Sequence, residues 1–252
     1  IFPHSHVPAL NQLLLPFLTF VSLPELDRNP TVKEEIRAAG LRQINALMYT
    51  YPVHQAADIL SVKGNIIPVG KDQLPHLELT RKLARRFNTR FPAEPAVFPE
   101  PDALLSETPV ILGLDGGQKM SKSRGNAILP QATADETATL LKSAKTDSNR
   151  QITFEPETRP EVANLLRLVS LSTGRAPEAI AAEIGDGGSG KLKALLTESL
   201  NSYLAPLRAK RAELAKDPGY VASVIKRGTE RANAEAEATL AAVRKAMGMV
   251  YC

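Results

Sequence analysis

The chain has 252 residues, 43% of them hydrophobic and 23% charged, with a formal net charge of +4 and a single cysteine. That size buries one large core or two smaller ones, and the composition excludes collagen-like, disordered and disulfide-stapled classes. Cys252 has no partner for an intrachain disulfide, and no Cys/His cluster has metal-ligand spacing. The longest apolar stretch, Leu13 to Leu23, is broken by Pro16 and falls short of the roughly 20 residues that cross a bilayer. A reducing, cytoplasmic setting without a membrane segment is expected, and the small positive charge permits a nucleic-acid partner without demonstrating one.

In chain order, Thr31 and Glu34 have capping-box spacing and predict a short helix ending near Gly40. A second helix is expected from about Tyr51 to Leu60. A strand over Ile66 to Val69 then runs through Gly70 into Asp72, a natural N-cap for a helix carrying Leu74, Leu77, Leu83, Ala84 and Phe87 at helical spacing. Pro92, Pro95, Pro99 and Pro101 make the stretch from Phe91 to Glu107 a loop, and Pro109 to Leu112 reads as the next strand. Strand, helix and strand in that order predict an α/β fold with a parallel sheet.

After about Pro130, strand-like runs nearly disappear and alanine, leucine, glutamate and lysine dominate. Leu192, Leu195, Leu196, Leu200, Tyr203, Leu204 and Leu207 form a stripe expected to be core, with Pro206 kinking or ending its helix. Gly185 to Gly190 reads as a flexible turn, because no strand leads into it as a phosphate loop requires. The last helix is expected from about Thr229 to Met247, stopping at Gly248. The predicted division is an α/β domain over 1–130 and a helical domain over 131–252.

Three segments carry chemistry. Lys119-Met120-Ser121-Lys122-Ser123 follows the Gly116-Gly117 pair, and by average residue usage this pentapeptide occurs by chance in about one in ten thousand chains of this length. Two lysines and two hydroxyls on a mobile loop can close over a polyphosphate and neutralise a departing pyrophosphate; the bland alternative is a solvated basic loop. In Ile67-Pro68-Val69-Gly70-Lys71-Asp72-Gln73 a strand ends in a glycine before a helix, the edge of an α/β sheet where ligands bind. Gly70 lets a nucleotide approach the backbone and Asp72 can accept from ribose hydroxyls, although a plain glycine turn looks the same. Tyr51, Gln55 and Asp58 fall on one helix face at i, i+4 and i+7. There a carboxylate held among apolar neighbours can take an N–H or O–H from an aromatic substrate while Tyr51 and Gln55 hold its α-ammonium; a polar exposed helix edge is the alternative. His4-Ser5-His6 reads as structural or as an exposed segment.

The segments YPVHQAADIL, IPVGKDQLPHLELTR and GQKMSKSRGNAI resemble successive signature regions of the tryptophanyl-tRNA synthetases, a class I aminoacyl-tRNA synthetase family. The likeness is dense from Tyr51 to Asn88 and from Gly113 to Ile128. It implies a Rossmann-like catalytic domain followed by a helical anticodon-binding domain, and a tryptophan–tRNA ligase using ATP with Mg2+, L-tryptophan and tRNA(Trp), working as a homodimer. It implies Asp58 as acceptor for the indole N–H, with Tyr51, Gln55 and Gln73 near the amino acid and Gly70, Lys71 and Asp72 on ATP. Lys119, Met120, Ser121, Lys122 and Ser123 would follow the phosphates, the two lysines as catalytic cations. Gln55 stands where many bacterial members have methionine, and the Tyr-x3-Gln-x2-Asp pattern is typical of the sister tyrosyl enzymes, which keeps a tyrosyl-tRNA synthetase as an alternative. No HIGH-type motif occurs, and Ile1 reads as the middle of a later strand. The first βαβ portion is therefore expected to lie outside this sequence, the 252 residues alone are expected to form adenylate poorly, and a non-catalytic tRNA-binding paralogue is a further alternative.

Overall fold

The computed structural model describes the chain except Leu41, Arg42, Glu107, Pro109, Gln118, Tyr251 and Cys252 and the side chains of Ala38 and Ala39. The chain forms two compact units, Ile1–Pro109 with Gly219–Cys252, and Val110–Pro218. The boundary expected at 130 differs from this division. The segment from Val110 that carries the KMSKS residues packs with helices of the second unit, and the last helix packs on the core of the first.

In the first unit, helices α1 (Pro8–Leu18), α2 (Leu23–Asp27), α3 (Pro30–Ala39) and α4 (Ala46–Ser61) precede strand β1 (Ile66–Pro68), helix α5 (Leu74–Arg90) and strand β2 (Asp102–Leu104). The strands pair in parallel with Ile67 opposite Ala103, so β1, α5 and β2 form the βαβ unit expected. The second strand is not the one read from the sequence. Of Pro109 to Leu112, Pro109 lies outside the described residues and Leu112 makes a single antiparallel bridge to Lys119. Strand β2 lies instead inside the proline-rich stretch: the prolines end at Pro101, and the free Asp102 N–H donates to the Asn65 carbonyl at 2.7 Å. Ile1 to Pro3 form no strand and lead into a 3-10 turn, His4–His6.

The caps also differ from the sequence reading. Asn29, not Thr31, caps α3, its side-chain oxygen accepting from the N–H groups of Thr31 and Val32, while Gly40 ends the helix at φ 59° as expected. Asp72 sits within a 3-10 turn, Lys71–Gln73, and Gln73 occupies the N-cap of α5. Helix α4 begins earlier than Tyr51 because Asn45 accepts from the Met48 N–H and starts it. Its residues Val53, Ala56, Ala57 and Leu60 are fully buried at i, i+3, i+4 and i+7, against Leu10, Leu13 and Phe17 of α1 and Leu83 and Phe87 of α5. The opposite edge carries Tyr51, Gln55 and Asp58, so the core itself fixes which way the polar face points. Helix α10 (Pro218–Ala246) closes this core with Ala236, Leu240 and Val243, and starts well before Thr229.

In the second unit, α6 (Ala134–Ser143), α7 (Pro160–Thr173), α8 (Pro177–Ile184) and α9 (Gly188–Leu214) surround a core of Leu141, Ile152, Leu165, Leu166, Ile180, Leu192 and Leu196. Thr133 and Glu136 make a complete capping box for α6. The expected glycine turn is a 3-10 turn, Gly185–Gly187, and α9 starts at Gly188 within it. Helix α9 continues through Pro206; the carbonyl that proline leaves without a donor, four residues back, belongs to exposed Ser202, which solvent can reach. The leucine stripe is core at Leu192, Leu196 and Leu204, but Tyr203 and Leu207 are more than half exposed.

Candidate functional site

Helix α4 and the turn before α5 form a hydrogen-bonded strip in the first unit. The Tyr51 hydroxyl donates to Glu35 Oε2 at 2.8 Å and stands 3.2 Å from His76 Nε2, with the two rings edge to face. The buried Asn29 carboxamide lies 3.2 Å from His76 Nδ1. With Nδ1 accepting from Asn29 and Nε2 donating to Tyr51, His76 is a neutral imidazole, and its burial pushes its pKa down, opposed by Glu35 and Asp72. Burial, and then the bond to Glu35, push the Tyr51 phenol well up, so it stays a protonated donor. Gln55 Nε2 donates to Gln73 Oε1 at 3.1 Å, and Gln73 Nε2 donates to Asp72 Oδ2 at 2.9 Å. Thr31 Oγ1 donates to the Asp72 carbonyl at 2.9 Å, fixing the turn. Tyr51, Gln55, Asp72 and Gln73 are thus brought together with Gly70 and Lys71 beside them. Gly70 is extended, at φ −77° and ψ 162°, so the turn makes no left-handed demand there.

Asp58 stands one turn further along α4. Its Oδ1 lies 3.0 Å from His4 Nε2, out of line for a hydrogen bond, and both atoms are buried. The His4 ring packs edge to face on His54 at 4.6 Å, and His54 Nε2 donates to Asn11 Oδ1 at 2.9 Å. Burial pushes the Asp58 carboxyl up, and His4 and His54 pull it back down. Each of His4, His54 and Asp58 offers one donor atom within 4.8 Å of the others, a set suited to a borderline divalent ion such as Zn2+ rather than to Mg2+. The sequence reading set His4 aside because nothing in its neighbourhood announces a contact with residue 58.

The KMSKS residues belong to the second unit. Leu112 bridges Lys119, and the Met120 N–H donates to the Ile111 carbonyl at 2.8 Å. Lys122–Arg124 make a 3-10 turn closed by Gly125 at φ 67°. Ser121 and Ser123 hydroxyls are 2.9 Å apart. Lys119, Lys122 and Ser123 are exposed, and Met120 and Ser121 are half-buried. The loop is not free to flex throughout. Asn126 Oδ1 accepts from the Ser121 N–H, its Nδ2 donates to both oxygens of Asp115, and its backbone carbonyl accepts from the Leu114 N–H. Asn164 of α7 pairs with both the N–H and the carbonyl of Leu112, as a neighbouring strand would. Gly116 is left-handed, at φ 77°, and an added Cβ there would press on Glu161 and Lys145. Asn126, Asp115 and Asn164 were not read from the sequence, because a polar residue on a loop has no period to betray it.

A parallel βαβ unit ending in a polar strip, in a chain that also carries a clamped Lys-Met-Ser-Lys-Ser loop, defines a nucleotide-using α/β protein of the class I synthetase type. A family model described as class I tRNA synthetases (W and Y) matches residues 1–205. The chain belongs to that family. The tryptophan–tRNA ligase of Treponema pallidum is 37% identical over 252 residues, covering 99% of this chain and 74% of that protein. The crystal structure of tryptophanyl-tRNA synthetase from Mycoplasma pneumoniae matches with a TM-score of 0.83 at 27% identity, over 98% of this chain and 75% of that one. The Campylobacter jejuni enzyme, solved with ADP and tryptophan, matches with a TM-score of 0.74 at 28% identity, over 98% and 76%.

Proposed function

We propose that this protein is a tryptophan–tRNA ligase. It activates L-tryptophan with ATP to tryptophanyl-adenylate and pyrophosphate, then passes the aminoacyl group to the terminal ribose of tRNA(Trp). The observation that carries the reading is the half-buried Asp58 carboxylate on the polar edge of α4, in line with Gln55 and Tyr51. The names of its relatives agree with it.

In the first step a tryptophan carboxylate oxygen bonds to the α-phosphorus as the bond from that phosphorus to the bridging oxygen of pyrophosphate breaks. No general base is needed, because the attacking carboxylate is ionised at neutral pH. The protein's work is positioning and charge stabilisation. Asp58 accepts the indole N–H; Tyr51, Gln55 and Gln73 hold the ammonium end; Gly70, Lys71 and Asp72 take the nucleoside side. Lys119 and Lys122, with Met120, Ser121 and Ser123, follow the phosphates, and ATP enters as its magnesium complex, a substrate rather than a resident metal.

The helices after residue 130 serve tRNA recognition in this reading. Several of the basic residues there already brace their own unit: Lys193 Nζ donates to the Lys142 carbonyl, Arg208 to Asn201 and Thr137, and Lys210 pairs with Glu213. The part-buried Arg208 bonds tie that side chain to its own unit, whereas the exposed Lys193 and Lys210 contacts are weak and a phosphate can replace them. A cytoplasmic homodimer completes the proposal, as the family resemblance implies; among the described residues no helix is long and apolar enough to cross a membrane.

The test is amino-acid-dependent ATP–pyrophosphate exchange by the full-length protein with tryptophan and with tyrosine, repeated with Asp58→Ala. Exchange with tryptophan that Asp58→Ala abolishes is the expected result. Exchange with tyrosine instead would assign the tyrosyl activity, for which Gln55 beside Asp58 is the supporting feature, and no exchange with either would leave a non-catalytic tRNA-binding protein.

A further inference from the structure

The resemblance gives Asp58 a role and says nothing of what holds it. The carboxylate is half-buried, and the Cβ–Cγ torsion of an aspartate is broad, so an unsupported carboxylate turns easily. Here one oxygen is in close polar contact, at ion-pair distance though not in an aligned hydrogen bond. His4 Nε2 meets Oδ1 at 3.0 Å, and both of these atoms are shielded from solvent while the Asp58 side chain as a whole is 43% exposed. The exposed part of the carboxyl is then the part available to a ligand.

His4 is itself held from two directions. Its turn is fixed by the Val7 N–H donating to the His4 carbonyl at 3.0 Å, and Asn233 of α10 donates to the His6 carbonyl at 2.8 Å. Its ring rests edge-on against His54, which Asn11 Oδ1 orients through the 2.9 Å bond to Nε2. Asn11, His54, His4 and Asp58 therefore form one buttressed row from α1 through α4.

We infer that His4, braced by His54 and Asn11, is a positioning and specificity-determining residue: it fixes Asp58 through Oδ1 so that the other carboxylate oxygen accepts the ring N–H of the amino-acid substrate. This rests on the tryptophan reading above. An oriented acceptor rejects a substrate lacking the N–H because the carboxylate is then left unpaired, whereas a turning carboxylate finds water and discriminates less.

The experiment measures kcat and KM in ATP–pyrophosphate exchange by the full-length protein, for tryptophan and for its benzothiophene analogue, in which sulfur replaces the ring N–H. Wild type is compared with His4→Phe, His4→Gln and His54→Leu, each checked for folding by thermal melting. In His4→Phe the tryptophan KM is expected to rise roughly tenfold with kcat little changed, while the analogue's KM stays put, so discrimination falls by the same factor. His4→Gln, which keeps an N–H donor, restores most of it, and His54→Leu shifts KM in the same direction by less, which keeps the inference testable should His4→Phe not fold. An unchanged discrimination ratio in His4→Phe, or equal loss for both substrates, overturns the inference while leaving the tryptophan reading intact. So does a wild-type tryptophan KM that changes when a zinc chelator strips trace metal, because the three side chains would then be serving an ion. Absence of any tryptophan-dependent exchange in wild type removes the tryptophan reading and this inference with it.

Discussion

Asn126 closes the KMSKS loop on itself by accepting the Ser121 N–H at 2.8 Å while its own N–H2 reaches Asp115 at 3.2 Å. The side chain is buried, at 7% exposure, and passes over Gly113, where an added Cβ would lie 2.1 Å from Asn126 Nδ2. One carboxamide thus decides both the geometry of the KMSKS loop and the identity of residue 113.

Gly113→Ala is expected to displace Asn126 and to resemble Asn126→Ala in stability, each costing about 1–3 kcal/mol through lost hydrogen bonds of buried groups. Because the methyl introduced by Gly113→Ala occupies space that truncation of Asn126 vacates, the double variant should lose less than the sum, with a coupling of roughly 0.5–1.5 kcal/mol. Urea unfolding of the four proteins measures the cycle. Strict additivity would mean the two positions do not share this clamp.

Lys119 and Lys122 are exposed on the clamped loop. Under the proposed function each acts on charge that develops as pyrophosphate leaves. Lys122→Ala and Lys119→Ala should each lower kcat for exchange by about a hundredfold, the usual scale for removing one transition-state charge stabiliser, with the tryptophan KM and the melting temperature nearly unchanged. A rise in the KM for ATP with kcat unchanged would place these lysines in ground-state binding instead.

The Arg86 guanidinium, pairing with both oxygens of Glu25, holds that carboxyl down to about 2 from 4.5. A depressed folded-state value stabilises the native protein above pH 4.5 and loses that contribution as pH falls through about 2. Glu25 also accepts from the Ser22 N–H and helps cap α2, and Arg86 reaches the Phe20 carbonyl, so the pair ties α5 to the α1–α2 connection. Arg86 is 40% exposed, which makes the effect modest. The melting-temperature gap between wild type and Glu25→Gln should be constant from about pH 5 to 8, narrow below pH 4.5, and shrink further in roughly 0.5 M salt. A gap that widens on acidification would reverse the sign of this linkage.

The parts of this molecule that were legible in its sequence are those where a period or a rare string of residues carries the information. The buried face of α4 and α5, the strand at Ile66, the helical character after residue 130 and the KMSKS loop all follow from local spacing. The misreadings share a cause. Strand β2 hides behind prolines because three residues between turns have no periodicity to display, and Asn29 displaces Thr31 as a cap because the two look alike until Thr31 finds the Asp72 carbonyl 41 positions away. His4, 54 positions from Asp58, and His76 opposite Tyr51 are placed by packing alone. Local order was readable; the long-range polar contacts that finish the site were not.

Arg159 precedes α7 and is the polar counterpart of these contacts in the second unit. Its side chain is 9% exposed and its fork is fully used: Nε and Nη2 donate to the two oxygens of Asp147 at 2.7 and 2.8 Å, and Nη1 donates to the Gln151 carbonyl and the Thr153 hydroxyl. These bonds pin the segment from Asp147 to Thr153 against the start of α7, where Ile152 enters the core. Arg159→Met fills similar volume but leaves the Gln151 carbonyl without its donor and Asp147, a third exposed, without its cation. The expected loss is about 2–3 kcal/mol, below the roughly 3–5 typical of a fully buried broken pair because water reaches Asp147. Arg159→Lys should recover less than half of it, since an ammonium cannot satisfy the carboxylate and the carbonyl from one planar fork. Adding Asp147→Asn to Arg159→Met should cost little more than Arg159→Met alone, because the carboxylate it removes has already lost its partner. Urea unfolding followed by circular dichroism reads all three. Full recovery by lysine would reduce Arg159 to a bare positive charge and remove the forked geometry from the account.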